Sequence, residues 1–236
     1  MSSSPLSLRY KARNMVQECP QQRRSEKAIR VINVVVAVVG ILLTLPLMFM
    51  VAVAIKMSSP GPIMFSQSRV GVDRRRDRGP KSKDQRRRKD WGGKLFTIYK
   101  FRTMRPDDGK ASQVWATQDD PRITLIGKFL RATRLDELPQ FFNVLLGDMN
   151  IVGPRPEQPD IFVNLGKELG WQYRDRQRVL PGITGLAQVK WRYDASIDDV
   201  RQKLKYDLFY IENMSLRLDA KILLQTIRTA LSGGGR

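Results

Sequence analysis

From residue 31 to residue 55 the chain reads VINVVVAVVGILLTLPLMFMVAVAI, without a single charge. As a helix this run is long enough to cross the roughly 30 Å of a bilayer's hydrocarbon, and no small domain could bury all its faces. A cleaved signal peptide fits poorly, because the run starts late, is too long, and is followed by no small-x-small cleavage site. Pro46, near its middle, deletes a backbone hydrogen bond and crowds the preceding turn. Basic residues crowd both flanks: Arg23, Arg24, Lys27 and Arg30 before it, Lys56, Arg69 and Arg74–Arg76 after it. Since Lys and Arg stay on the cytoplasmic side, both ends favour the same side of the membrane. A helix that enters, breaks at Pro46 and returns satisfies both observations; a kinked spanning helix satisfies the proline alone.

The rest of the chain is strongly basic, with 42 Lys and Arg against 23 Asp and Glu and a net charge of +19. Its partner is therefore anionic: nucleic acid, a phospholipid surface or a phosphorylated small molecule. There is no histidine, and Cys19 is the single cysteine. Imidazole-bound zinc, thiolate clusters and internal disulfides are thereby excluded, and proton chemistry falls to carboxylates, Lys or Tyr.

Three regions follow: a basic arm over 1–30, a membrane helix over 31–57, and a domain over 58–236 interrupted by a basic insertion at 73–90. That insertion, DRRRDRGPKSKDQRRRKD, has no aromatic side chain to stack on bases, so it reads as a solvated loop or a lipid-headgroup contact rather than a nucleic-acid arm. Period-two patterning predicts a strand in IMFSQSRVG with Gln67 and Arg69 on one face, and another in 94–104 with Lys100 and Arg102 on one face. Helices are predicted over 123–132; over 137–146, with Leu138, Phe141, Phe142 and Leu145 inward; over about 197–212, with Val200, Leu204, Leu208 and Ile211 on a stripe; and over 219–231, with Ile222, Leu223 and Ile227. MNIVG reads as a short strand, and VLPGITGLAQV as a Pro-Gly turn leading into a strand.

The chemistry is concentrated in RATRLDELPQFFNVLLGDMNIVGPRP, residues 131–156. Proline belongs in a helix's first turn, so Pro139 predicts a helix start near Asp136, with Asp136 as N-cap and the positive helix end keeping the carboxylate ionised. Arg131 and Arg134 precede the Asp136–Glu137 pair, and Arg155 is fixed between Pro154 and Pro156. Rigid guanidinium groups around two carboxylates suit phosphoryl chemistry with Mg²⁺, which takes one or two carboxylates plus substrate phosphates. The plainer alternative is a capping Asp136, with Arg155 paired to Glu157 or Asp160 on a surface loop.

Five blocks in series, GPIMFSQSRVG, KLFTIYKFRTM, LDELPQFFNVLLGDMNIVGPRPE, VLPGITGLAQV and KLKYDLFYIENMSLRLDAKILLQTI, resemble the bacterial sugar transferases, the monotopic phosphoglycosyl transferases that begin capsule, O-antigen or exopolysaccharide assembly. The resemblance runs from about residue 28 to residue 231. It implies a small α/β catalytic domain on the cytoplasmic face of the bacterial inner membrane, an N-terminal re-entrant helix broken at Pro46, and amphipathic interfacial helices on membrane lipid. It implies that Asp136 attacks the β-phosphorus of a UDP-sugar, that UMP leaves, and that polyprenyl phosphate takes the sugar phosphate from Asp136. Glu137 corresponds to the Mg²⁺ ligand, and Lys100, Arg102, Arg131, Arg155 and Arg192 to the basic residues of the site; a homodimer is the candidate assembly. The chain departs from the family at Leu45, where Ser usually precedes the proline, at Leu180, often Arg, and in KWRYDAS, where many relatives have Asn-Gly. Two other readings compete: a membrane-tethered nucleic-acid-binding protein, which leaves the acidic pair unexplained, and a scaffold with a vestigial site, which the intact Asp136, Glu137 and Arg155 oppose.

Overall fold

A computed structural model describes residues 26–74, 90–105, 120–191 and 196–231. Most of the arm (1–25), most of the insertion (75–89) and Arg192 therefore lie outside the described residues. The chain divides at Ile32: the first unit contributes Glu26–Ile32, the opening turns of the first helix, and Asn33–Arg236 hold everything that follows.

Helix α1, Glu26–Ser58, is one continuous helix with Pro46 inside it. Its apolar stretch has a mean hydropathy of 2.8, and by length and composition it is the one described helix able to cross a membrane. Most of its large apolar side chains are exposed, Leu42, Leu43, Phe49 and Met50 among them. One stripe packs inward. Ala37 joins the central core, and Met48, Val51 and Ile55 pack with Phe101 and Leu130. The Asn33 side chain accepts from the Ile151 amide at 2.6 Å. Gly40 sits where a Cβ would fall 2.8 Å from the Phe141 ring, so only glycine permits this approach. Thr44 donates to the Gly40 carbonyl at 2.7 Å, a back-bond that bends helices and lies one turn before the proline.

Strands β1 (Met64–Val70) and β2 (Leu95–Phe101) form an antiparallel hairpin from Met64↔Phe101 to Val70↔Leu95. Directly opposite residues share a face, so Phe65, Gln67 and Arg69 lie with Lys100, Ile98 and Phe96. Helices α2 (Leu125–Thr133) and α3 (Gln140–Leu146) follow, joined through a 3₁₀ turn, Leu135–Glu137. The other edge of β2 is closed by buried Asn143, which accepts from the Tyr99 amide and donates to the Thr97 carbonyl. An amide side chain here mimics a neighbouring strand and satisfies an otherwise bare edge. A parallel pair, β3 (Asn150–Val152) and β4 (Gly182–Thr184), brackets α4 (Pro159–Leu169) and a 3₁₀ segment, Trp171–Arg178. Short α5 (Leu186–Lys190) and the long α6 (Ile197–Glu212) and α7 (Leu216–Leu231) complete a mixed helix-and-sheet fold. A reciprocal Ser196–Asp199 capping box starts α6, whose Val200, Leu204 and Ile211 are buried as the stripe predicts.

Several expectations need correction. The helix after the acidic pair begins at Gln140 with Pro139 as its cap, so Asp136 is not an N-cap. Arg134, in the left-handed region at φ 58°, ends α2 and turns the chain into the 3₁₀ segment that carries both carboxylates. Phe142 is 41% exposed, because Phe141 meets α1 and turns Phe142 outward; Ile227 is 55% exposed. The strand after the Pro-Gly turn has three residues and gives way to α5, and residues 159–169 and 171–178, for which no element is predicted, are helical.

Candidate active site

Two buried carboxylates face four cations. Asp136 and Glu137 are 8% and 7% exposed, and they line a cavity of about 80 Å³ with Lys100, Arg131, Arg134 and Arg155. Lys100 Nζ donates to Glu137 Oε1 at 2.8 Å, and both Nη nitrogens of Arg155 lie 3.1 Å from the same oxygen. Arg134 Nη1 stands 3.8 Å from Oε2, beyond hydrogen-bonding distance. Each member comes from a different local device. Lys100 projects from the end of β2, Arg131 from the last turn of α2, and Arg134 from the left-handed junction.

Arg155 is fixed by the backbone around it. The Pro154 carbonyl accepts from the Gly182 amide, the Glu157 carbonyl accepts from the Val70 amide, and the Arg155 carbonyl accepts from Arg176 Nη2 at 3.0 Å. The loop runs so close to β4 that a Cβ on Gly182 would fall 2.0 Å from the Gly153 nitrogen. Arg176 is buried, and its other donors reach Asp207 at 2.8 Å and the Tyr173 hydroxyl at 2.7 Å. An Arg fork with every arm occupied holds its neighbours in place rather than binding substrate.

The two carboxylates are driven apart electrostatically. Burial, and then the negative charge of Glu137, raise the Asp136 pKa to about 6. Burial opposes ionisation of Glu137 too, but Lys100, Arg155 and Arg134 overcome it and hold its carboxyl well below the usual range. Burial also lowers the Lys100 pKa against the pull of Glu137. The expectation that a helix end lowers the Asp136 pKa is thus reversed: no α-helix begins there, and desolvation raises it.

Of the residues singled out in the sequence, Lys100, Arg131, Arg155, Asp136 and Glu137 converge. Arg102 does not. The strand ends at Phe101, and the buried Arg102 guanidinium donates to the Pro60 and Ser59 carbonyls and Ser59 Oγ, clamping the turn that follows α1. Arg192 lies outside the described residues, and Pro46 is in α1. Arg69 and Arg176 stand beside the site, and the contacts that bring them there, with Pro156, Arg155 and Asp207, come from far along the chain.

The donor set fits Mg²⁺. Among the described residues no group of three or more His, Cys, Asp and Glu forms a ready-made cage. Hard carboxylate oxygens completed by substrate phosphates are what Mg²⁺ takes, and Glu137 concentrates its close cations on Oε1, leaving Oε2 with only the 3.8 Å contact.

A family profile for bacterial sugar transferases matches residues 24–233. The chain is 44% identical over 206 residues to a UDP-N-acetylgalactosamine-undecaprenyl-phosphate N-acetylgalactosaminephosphotransferase of Aeromonas hydrophila, covering 87% of this chain and 44% of that protein. It is 38% identical to a UDP-glucose:undecaprenyl-phosphate glucose-1-phosphate transferase of Klebsiella pneumoniae, covering 84% and 39%. A protein of the same description from Caulobacter vibrioides is 37% identical, covering 86% and 69%. The chain thus spans about two fifths of the length of the first two. None of the three lends support to a nucleic-acid-binding role. With the profile covering nearly the whole chain, the protein belongs to the bacterial sugar transferase family.

Proposed function

We propose that this chain transfers a hexose-1-phosphate from a UDP-sugar to a polyprenyl phosphate, releasing UMP, with Asp136 as nucleophile. The observation that carries this reading is the buried Asp136–Glu137 pair set among Lys100, Arg131, Arg134 and Arg155. Four cations against two carboxylates leave the cavity with an excess of two positive charges, which suits a diphosphate. The relatives' descriptions name the same two substrate classes. Asp136 is the freer carboxylate, since Lys100 and Arg155 close on Glu137 and tie it down.

In the first half-reaction a carboxylate oxygen of Asp136 bonds to the β-phosphorus as the bond to the bridging oxygen breaks, and that oxygen leaves on UMP. In the second, an oxygen of the polyprenyl phosphate bonds to the same phosphorus and the bond to Asp136 breaks, restoring the carboxylate. No proton need move in either half. Lys100 and the arginines neutralise the repulsion between carboxylate and diphosphate, the term on which phosphoryl transfer chiefly depends. Mg²⁺ held by Glu137 and the diphosphate would supply further charge neutralisation at the phosphate oxygens.

Membrane attachment through a returning α1 completes the reading, with the catalytic body on the cytoplasmic face. Asn33, Ala37 and Gly40 before Pro46, and Met48, Val51 and Ile55 after it, all pack against the same body. Asn33 to Ile55 is about 33 Å of helix, so a straight span would carry one of these ends away from a body on one side of the bilayer. Exposed Leu125 and Phe129 on α2, and Leu216, Leu224 and Ile227 on α7, are suited to the interface.

The test is a panel of UDP-hexoses with undecaprenyl phosphate and Mg²⁺, read as UMP release and lipid-linked product. Without lipid, the peptide carrying Asp136 should gain one sugar phosphate as one UMP is released. UMP release only in the presence of lipid, with no trapped adduct, would demote Asp136 to orienting the acceptor.

A further inference from the structure

Arg134 closes α2 in a conformation that an arginine has no local reason to adopt. With φ 58° and ψ 17° it is the only non-glycine residue in the left-handed region among the described residues. Glycine or asparagine takes this conformation readily, whereas a long side chain is strained in it. Strain kept at a site points to a task for the side chain.

The task follows from where that side chain goes. The 3₁₀ turn after Arg134 places residues three apart on one face, so Arg134 lies over Glu137, whose amide donates to the Arg134 carbonyl at 3.1 Å. Arg134 Nη1 stops 3.8 Å from Glu137 Oε2, beyond hydrogen-bonding distance, and its Nε is buried without an acceptor. The side chain is only 16% exposed, and burial outweighs the pull of Glu137 and lowers its pKa. Lys100 and Arg155 differ, for both are committed to Glu137 Oε1. Of the three cations around Glu137, Arg134 alone is held in place with its donors uncommitted.

Arg134 and Asp136 line the same cavity of about 80 Å³. A phosphorus bonded to Asp136 brings its non-bridging oxygens to the walls of that space. Those oxygens stay with the phosphorus through both displacements, whereas the phosphate of the nucleotide leaves after the first. Resting on the reading of the site as a UDP-sugar transferase, we propose that Arg134 is a binding residue for the phosphoryl group in transit. Its Nη nitrogens donate to the non-bridging oxygens of the group that Asp136 attacks, and they keep hold of those oxygens while the sugar phosphate is on the enzyme. Arg134 therefore serves both half-reactions.

The experiment separates the side chain from the backbone. Arg134→Gly and Arg134→Asn both suit the left-handed turn and remove the guanidinium, while Arg134→Lys keeps a cation in the strained backbone. Rapid quenching of the full-length protein in detergent, with a UDP-hexose that the panel identifies as substrate, gives the rate of UMP release without lipid. Addition of undecaprenyl phosphate then gives the rate at which the adduct is discharged. Arg134→Gly and Arg134→Asn should each slow both steps by about tenfold or more, the worth of a hydrogen bond to a charged group, and Arg134→Lys should recover part of both rates. An arginine kept for the turn alone gives the reverse order, with Gly and Asn active and Lys no better. Both rates within about threefold of the unmodified protein in Arg134→Gly or Arg134→Asn, well short of one charged hydrogen bond, overturn the proposal. So does a loss confined to UMP release, or a Lys variant no faster than the Gly variant. If the unmodified protein releases no UMP from any UDP-hexose in the absence of lipid, the reading of Asp136 as nucleophile falls, an outcome distinct from failure of the Arg134 assignment alone.

Discussion

Asp136 and Glu137 are adjacent in sequence, yet the fold gives them opposite protonation behaviour, and this has measurable consequences. The Asp136 pKa is raised from 3.8 to about 6, so its contribution to stability is fully present below pH 3.8 and is lost as pH rises through 6. At neutral pH its buried charge is a burden. Asp136→Asn should therefore abolish transfer and yet stabilise the folded protein at pH 7.5 by roughly 2–3 kcal/mol, an advantage that fades towards pH 4 in denaturant titrations. On the proposed mechanism protonation disarms Asp136, so kcat/KM should fall tenfold per pH unit below about 6. A profile flat down to pH 5 would place the attack elsewhere. Glu137 behaves oppositely, remaining ionised throughout this range because Lys100, Arg155 and Arg134 surround it.

Among the elements, α1 and the GPRP loop decide whether the site exists. Arg176 joins Asp207 on α6 to the carbonyl of Arg155, so its loss removes a brace from the site and strands a buried carboxylate. Arg176→Met should cost about 3–5 kcal/mol in chemical denaturation, and Asp207→Asn in the same background should recover part of it. For α1, the packing of residues on both sides of Pro46 against one body leads to a topological expectation. In a Cys19→Ser background, Ser25→Cys and Pro60→Cys should both react only with cytoplasmic thiol reagent. Labelling from opposite sides would establish a simple span. The helix is continuous through Pro46 rather than broken there as the sequence predicts; the proline removes one hydrogen bond and bends a helix that the neighbouring turns sustain.

At the scale of the molecule, the basic insertion leaves the hairpin at the end far from Lys100. Asp73 and Asp90, at the insertion's two ends, are tied to the 3₁₀ segment through the Gln177 carbonyl and Arg174. They emerge beside the Val70–Leu95 end, five residues and roughly 17 Å from Lys100 along the strand. Deleting residues 75–89 should therefore leave turnover of detergent-dispersed substrate within a few-fold. It should weaken binding to anionic vesicles by at most about 1 kcal/mol per lost cation, seen in flotation at varied ionic strength. A collapse of turnover in detergent would show that the insertion shapes the site.

The sequence by itself determined the features that depend on local order. The uncharged run over 31–55 fixes a long apolar helix, period-two patterning fixes the strand pair with Lys100 at its end, and Arg131, Asp136, Glu137 and Arg155 can be singled out because each lies in a short, chemically unusual stretch. Tertiary structure decided what depends on neighbours from elsewhere in the chain. Pro139 marks a helix start, but only the left-handed turn at Arg134 reveals that the carboxylates lie in the 3₁₀ segment before it. Alternation puts Lys100 and Arg102 on one face, but the strand stops between them, and Arg102 is drawn to the turn after α1. Arg69 and Arg176 acquire meaning only beside the Arg155 loop, whose residues are distant in sequence. The elevated pKa of Asp136 is likewise a property of the folded state, because desolvation is a sum over every group that packs around the carboxyl, and no local stretch of sequence contains that sum.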